Sequence, residues 1–180
     1  MKRKKSQSNE TNSLGRARRL SNRGADLLQQ GKAREAMSAL ERAVALLPAD
    51  VPTLINLSGA YVLNKRYKEA VEVLERAREH EPDNAMIWIN LGAAYLGNPI
   101  LASDEQQRAA IAAFERALEI DPVARSVHYN LGLIHRDRGE IEQAMRRFRQ
   151  AIQANPLDRD ARAWLQRLEE TQARGDGDDS

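Results

Sequence analysis

A chain of 180 residues with 42% hydrophobic and only 4% aromatic residues is typical of a helical protein packed through small side chains, and it disfavours a β-sandwich. It contains no cysteine, which excludes disulfides, thiolate metal sites and cysteine nucleophiles. The net charge of +2 conceals an asymmetry, because residues 1–23 hold eight basic residues and one acidic residue. That segment therefore carries +7, and the rest of the chain carries −5.

Both ends of the chain are predicted to be disordered. Residues 1–13 are polar and basic, show no apolar periodicity, and lack the apolar segment that a signal peptide needs after its cationic start. Residues 174–180 hold three aspartates and two glycines, which predicts an acidic tail. Because no apolar run reaches the length of a membrane span, we expect a cytoplasmic protein with no membrane partner.

From Ala17 onward, a two-helix pattern repeats along the chain. Each unit has two apolar helical faces and ends at a proline, which stops the second helix. Units begin near Ala17, Val51, Ala85 and Arg125, with separations of 34, 34 and 40 residues. The third unit is the clearest, and its marker residues are Trp88, Leu91, Gly92, Tyr95, Ala110, Phe114, Ala117 and Pro122.

These residues and their period resemble the tetratricopeptide repeat (TPR) family, whose first helix carries Trp-x2-Leu-Gly-x2-Tyr and whose second carries Ala-x3-Phe-x2-Ala-x4-Pro. The resemblance implies an all-α, right-handed superhelix of four helix-turn-helix repeats with a C-terminal capping helix. The predicted repeats are residues 17–50, 51–84, 85–124 and 125–158, and the capping helix is 159–173, anchored by Trp164. The first repeat matches least well, because Arg23 stands in the leucine position.

Six extra residues in the third repeat are placed near 98–104. Asn98-Pro99 ends one helix, and Ser103 with Gln106 predicts a capping box at the start of the next. A longer solvated turn is the favoured interpretation, because loops tolerate insertion. The alternative is a contact with a partner at the rim, through Ile100 and Leu101 as exposed apolar residues.

In TPR folds the first helices line the concave surface, and the resemblance places the sixth residue of each repeat on it. That residue is asparagine in all four repeats: Asn22, Asn56, Asn90 and Asn130. Such a row resembles the asparagine ladder with which some family members hold extended peptides, because amides match both peptide N–H and C=O groups. The other interpretation is a polar filler that bonds a neighbouring helix, and both stay open.

Apolar residues flank this row and predict a binding strip for a peptide or a helix. The candidate strip consists of Ile55, Met86, Ile89, Tyr129 and Leu133, with Val62 and Leu96 beside them. The function predicted is a protein-interaction adaptor or scaffold, with a protein or peptide as the partner. The alternative use of the same strip is self-association into a homo-oligomeric scaffold.

Other functions are disfavoured. We expect no enzyme, cofactor or metal site, since His128 and His135 fill aromatic core positions and no third ligand accompanies them. The basic N-terminal arm suggests a nucleic-acid accessory role as a further alternative, but it is short and has no aromatic residue for stacking. The basic clamp that holds chaperone tails in some TPR proteins lacks its charges here, because its positions hold Ser21, Ala25, Met86 and Asn90.

Overall fold

The computed structural model describes the backbone of residues 2–98 and 101–178, and the side-chain surroundings of 12–98, 101–124 and 126–174. Within these ranges the chain forms nine α-helices and no strand. The helices are α1 Lys2–Gln29, α2 Ala33–Leu46, α3 Val51–Leu63, α4 Tyr67–His80, α5 Ala85–Leu96, α6 Asp104–Ile120, α7 Arg125–Asp137, α8 Ile141–Ala154 and α9 Arg159–Asp178. In the described ranges, no helix is both long and apolar enough to span a membrane.

Successive helices pair as α1–α2, α3–α4, α5–α6 and α7–α8, and α9 packs on α8. This arrangement confirms the predicted all-α, right-handed solenoid of four pairs with a capping helix. The turns inside the first and fourth pairs use Gly31 and Gly139 at φ of 72° and 74°, a region that glycine enters without steric cost. The second pair turns through Lys65 at φ 61° instead.

Small residues let the two helices of each pair approach closely. A Cβ atom added to Gly92 on α5 would lie 2.6 Å from Cε1 of Phe114 on α6, and one on Gly132 would lie 2.7 Å from Phe148. Both phenylalanines are fully buried. The second pair has Ser58 at this position, also fully buried. The glycine position of the first helix therefore contacts the aromatic position of the second helix within the same pair.

Side-chain caps start several of the helices. Asp50 accepts a hydrogen bond from the Thr53 backbone N–H at 3.1 Å, which caps α3. Ser103 and Gln106 exchange bonds in a capping box at the start of α6, as predicted from their spacing. The insertion therefore ends in a well-defined helix start.

The two chain ends differ from the predicted disorder. Helix α1 begins at Lys2 and includes residues 2–13, and α9 continues to Asp178 through most of 174–180. Neither segment contains proline, and extending a helix that is already packed adds one hydrogen bond per residue without the cost of nucleation. Residues 1, 179 and 180 lie outside the described residues.

Polar residues cover the faces at which the solenoid begins and ends. In α3, Thr53, Leu57 and Ala60 are buried, whereas the residues 34 positions earlier in α1, namely Arg19, Arg23 and Asp26, are exposed or half-buried. Arg23 thus departs from the family pattern because no helix pair in the described chain covers it. Repeat arrays need such polar end faces for solubility.

Candidate interaction groove

The first helices of the four pairs, α1, α3, α5 and α7, line the surface that we call the groove. Its two central helices contain no charged residue: α3 reads VPTLINLSGAYVL and α5 reads AMIWINLGAAYL. The second helices on the outer side, α4 and α6, are rich in charge. The centre of the groove therefore offers a partner only apolar groups, amides and hydroxyls.

The predicted apolar strip lies half in the core and half at the surface. Ile55, Ile89, Tyr129 and Leu133 are each half-buried and pack against core residues. The Tyr129 ring lies 5.9 Å from the Phe148 ring, centroid to centroid. Met86 is more open, with 50% of its surface exposed. The four half-buried side chains therefore pack against the core on one side and are accessible to solvent on the other.

The four asparagines have different surroundings. Asn90 donates through Nδ2 to Ser58 Oγ on α3 at 3.2 Å. Asn56 and Asn130 are half-buried, and in the described part of the chain neither side chain forms a hydrogen bond. Asn22 is exposed on α1. The row therefore combines one amide that joins two helices with two half-buried amides and one exposed amide.

A small pocket opens beside Asn130. It measures about 110 Å³ and is lined by residues of α5, α6 and α7, namely Leu96, Gln107, Asn130, Leu133, Ile134, Arg136 and Asp137. It brings the predicted residues Leu96, Asn130 and Leu133 together at one point. Its lining combines three apolar side chains with two amides and with the charged side chains of Arg136 and Asp137, a mixture that suits specific recognition.

Trp164 lies at the C-terminal end of the groove. It follows Asn130 by 34 residues, so it continues the asparagine row into α9. The ring packs against the core of the fourth pair, as predicted. In addition, the guanidinium carbons of Arg136 and Arg167 lie 4.0 Å and 5.1 Å from the ring centroid. Sequence reasoning missed this role, although the 34-residue spacing was its signal.

Residues of the repeat pattern also join consecutive pairs through hydrogen bonds. Tyr61 donates its hydroxyl to Glu41 at 3.0 Å, and Tyr95 donates to Glu75 at 3.0 Å in the next pair. Burial, followed by the bond to Glu41, raises the pKa of Tyr61 to about 12. These hydroxyls link α3 to α2 and α5 to α4, and so connect each helix pair to the one before it.

The two histidines face the protein interior rather than a metal. His135 is buried and lies 2.6 Å from Glu140, measured from Nδ1 to Oε2. His128 is half-buried, and burial lowers its pKa, with the Arg147 charge as a smaller contribution. Among the described residues, no group of three metal-ligating side chains is present.

The insertion contributes one exposed apolar residue among those described. Leu101 is 77% exposed, while Ile100 lies outside the described residues. Gly97, which ends α5 at φ 58°, lies close to the Tyr67 ring at the start of α4. The role of the insertion as a rim contact remains a prediction.

Two models of the tetratricopeptide repeat match the chain, one over residues 27–97 and one over residues 101–158 and 129–174. The chain belongs to the tetratricopeptide repeat family. Members of this family are protein-interaction modules, so the chain is an interaction or scaffold protein at that level of description. Among curated proteins, none matches its sequence.

Solved TPR structures share this fold. TTC0263, described as a thermophilic TPR protein of Thermus thermophilus, superposes with a TM-score of 0.75 at 21% identity, covering 89% of this chain and 84% of that one. MamA from Desulfovibrio magneticus RS-1 gives 0.67 at 24% identity, covering 80% and 78%. Another MamA crystal structure gives 0.68 at 25% identity, covering 83% and 84%. At these identities the likeness establishes the fold.

Proposed function

We propose that this TPR chain is a non-catalytic adaptor whose groove binds an uncharged, largely apolar segment of another protein. The observation that carries the proposal is the absence of charge from α3 and α5. A charged side chain docked on these helices would lose its water without gaining an opposite charge, which is costly. The groove therefore selects against charge at its centre.

The open amides favour a segment bound in extended form. Asn56 lies on α3 within the charge-free centre, Asn130 lies on α7, and neither has a hydrogen-bond partner in the described chain. An extended backbone presents N–H and C=O groups that an amide can satisfy, whereas a helix uses these groups internally. The apolar strip of Ile55, Ile89 and Leu133 would then receive alternate side chains of the segment.

Selection from a displayed library of random peptides, each about 12 residues long and so able to span the groove in extended form, tests this proposal. We expect the binders to be uncharged over their central residues and to bind less tightly to the double variant Asn56→Ala/Asn130→Ala than to the wild type. A matched control is Gln150→Ala, which removes an exposed amide from the outer helix α8. Binders enriched in charge at the centre, or unaffected by the double variant, would contradict the proposal.

A second copy of the chain, bound through the same apolar strip, is the alternative occupant of the groove. Light scattering over a wide concentration range distinguishes the two. A monomer at all concentrations removes the rival, whereas an oligomer that the selected peptides dissociate would identify a second copy as the occupant.

A further inference from the structure

We infer that the groove ends in a subsite for an acidic side chain, formed by Arg136 and Arg167 over the Trp164 ring. The inference rests on the proposed function, because it describes one end of the same bound segment. Its basis is the contrast between a charge-free centre and two guanidinium groups at the C-terminal end. The subsite would fix the direction in which the segment lies along the groove, because the charge-free centre alone does not distinguish the two ends of the segment.

The Trp164 ring orients both guanidinium groups. Stacking on an aromatic face leaves the N–H edges of an arginine available for hydrogen bonds to a carboxylate. Arg136 uses Nε and Nη2 to bind Asp137 Oδ1, at 2.7 Å and 2.5 Å, and its Nη1 has no bond to that carboxylate. Arg167 is exposed and forms no ion pair in the described chain.

The local charge balance favours an incoming anion. Asp137 is the one carboxylate bonded to this pair of arginines in the described chain, so the Arg167 guanidinium has no bonded carboxylate. On α9, Glu170 lies three residues after Arg167 and accepts a hydrogen bond from Gln166, and Asp160 lies seven residues before it, about 10 Å away along the helix axis. A partner carboxylate can therefore approach Arg167 directly.

The position of the subsite predicts the spacing of the partner's residues. Trp164 follows Asn56, Asn90 and Asn130 as the next residue of the row, one per helix pair. On the last step, the Arg136 guanidinium carbon on α7 lies 4.0 Å from the centroid of the Trp164 ring on α9. An extended chain covers about 3.3 Å per residue, so the acidic residue is expected a few residues beyond the one at Asn130.

This subsite is separate from the chaperone-tail clamp of the family. That clamp would use the first three repeats, where the required charges are replaced by Ser21, Ala25, Met86 and Asn90. The arginines described here lie on α7 and α9. The partner feature expected is an acidic residue at one end of an apolar segment.

The test uses peptides from the library selection, each prepared with its terminal Glu or Asp and with Gln or Asn in its place. We expect the wild-type protein to bind the acidic form roughly tenfold more tightly, as for one charge-assisted hydrogen bond. Arg167→Glu should remove that preference, and a peptide with Lys at the same position should regain binding to this variant. Arg146→Glu, an exposed arginine on the outer helix α8, is the matched control and should change nothing.

Indole N–H signals in NMR spectra locate the contact. The chain has two tryptophans, and Trp88 donates through Nε1 to the Pro82 carbonyl at 2.7 Å. The Trp164 signal should shift with the acidic peptide and much less with its amide form, while the Trp88 signal stays in place.

Two results would overturn the inference, and they are distinguishable. Peptides that bind the groove with no acidic preference and no response to Arg167→Glu contradict the subsite and leave the proposed function intact. A library that yields no groove-binding peptide contradicts both.

Discussion

Asn90 donates a 3.2 Å hydrogen bond to Ser58, and this bond joins α5 to α3 across the floor of the groove. Ser58 Oγ in turn donates to the Ile55 carbonyl at 2.7 Å. The central amide of the asparagine row is therefore part of the contact between two helix pairs. Its neighbours Asn56 and Asn130 make no such bond in the described chain, so the row divides into one amide that joins two helices and two half-buried amides that do not.

Because only one of these three asparagines joins two helices, we expect alanine substitution to lower the free energy of unfolding by unequal amounts along the row. Asn90→Ala removes a part-buried hydrogen bond and should lower the free energy of unfolding by about 1 kcal/mol. Asn56→Ala and Asn130→Ala should each change it by less than about 0.5 kcal/mol. Urea unfolding followed by circular dichroism measures these values. Equal losses for all three variants would make the whole row structural.

Two glycines of the first helices, Gly92 and Gly59, are expected to change protein stability in opposite directions when each is replaced by alanine. Gly92→Ala places a Cβ atom 2.6 Å from the Phe114 ring and should destabilise the protein by about 1–3 kcal/mol through overpacking. Gly59→Ala on α3 meets no atom within 4 Å and should stabilise the helix by up to about 1 kcal/mol. Thermal unfolding compares the two, and a shift of the same sign for both would contradict the described packing.

His128 predicts a loss of stability in acid. Burial lowers its pKa in the folded protein, so the folded state binds this proton less readily than the unfolded state does. Its contribution to stability is therefore present above the unfolded pKa of about 6.5 and is lost as the pH falls through the lower folded value. His128→Phe should reduce the decrease in unfolding free energy between about pH 7 and pH 5.

The control for this pH dependence is His80→Gln, at an exposed position on α4. It should leave the slope of stability against pH unchanged. If His128→Phe keeps the wild-type slope, the titration of His128 makes no difference to folding.

The sequence was sufficient to predict the fold because the repeat pattern corresponds directly to contacts. Gly92 and Phe114 are 22 residues apart in the sequence and touch in the structure, so the aromatic position of another unit is expected to meet its glycine in the same way. Arg23 breaks the pattern in the first unit. The polar composition of the chain ends does not indicate the full extent of α1 and α9, because a helix that is already packed extends without the cost of nucleation.

The sequence predicted less of the groove than of the fold. The identity of its lining residues followed from repeat positions, but the bond between Asn90 and Ser58 depends on how α5 lies against α3, which no local pattern contains. The place of Trp164 at the end of the row was available from its 34-residue distance to Asn130. The stacking of Arg136 and Arg167 on it was not, because Arg136 reaches Trp164 from a different helix.

The most direct test of the groove as a binding site is a blocking substitution at Gly59. Gly59 lies on α3 four residues after Ile55 and so shares its helix face, and a Cβ atom at this position meets no atom within 4 Å. Gly59→Leu should therefore add a bulky side chain to the charge-free centre. Calorimetric titration with the library-selected peptides should then show binding at least about tenfold weaker than for the wild type, as expected when a docked segment clashes. Arg146→Leu adds the same side chain to the outer surface and should bind as the wild type does. Unchanged affinity of the folded Gly59→Leu protein would contradict binding in the groove.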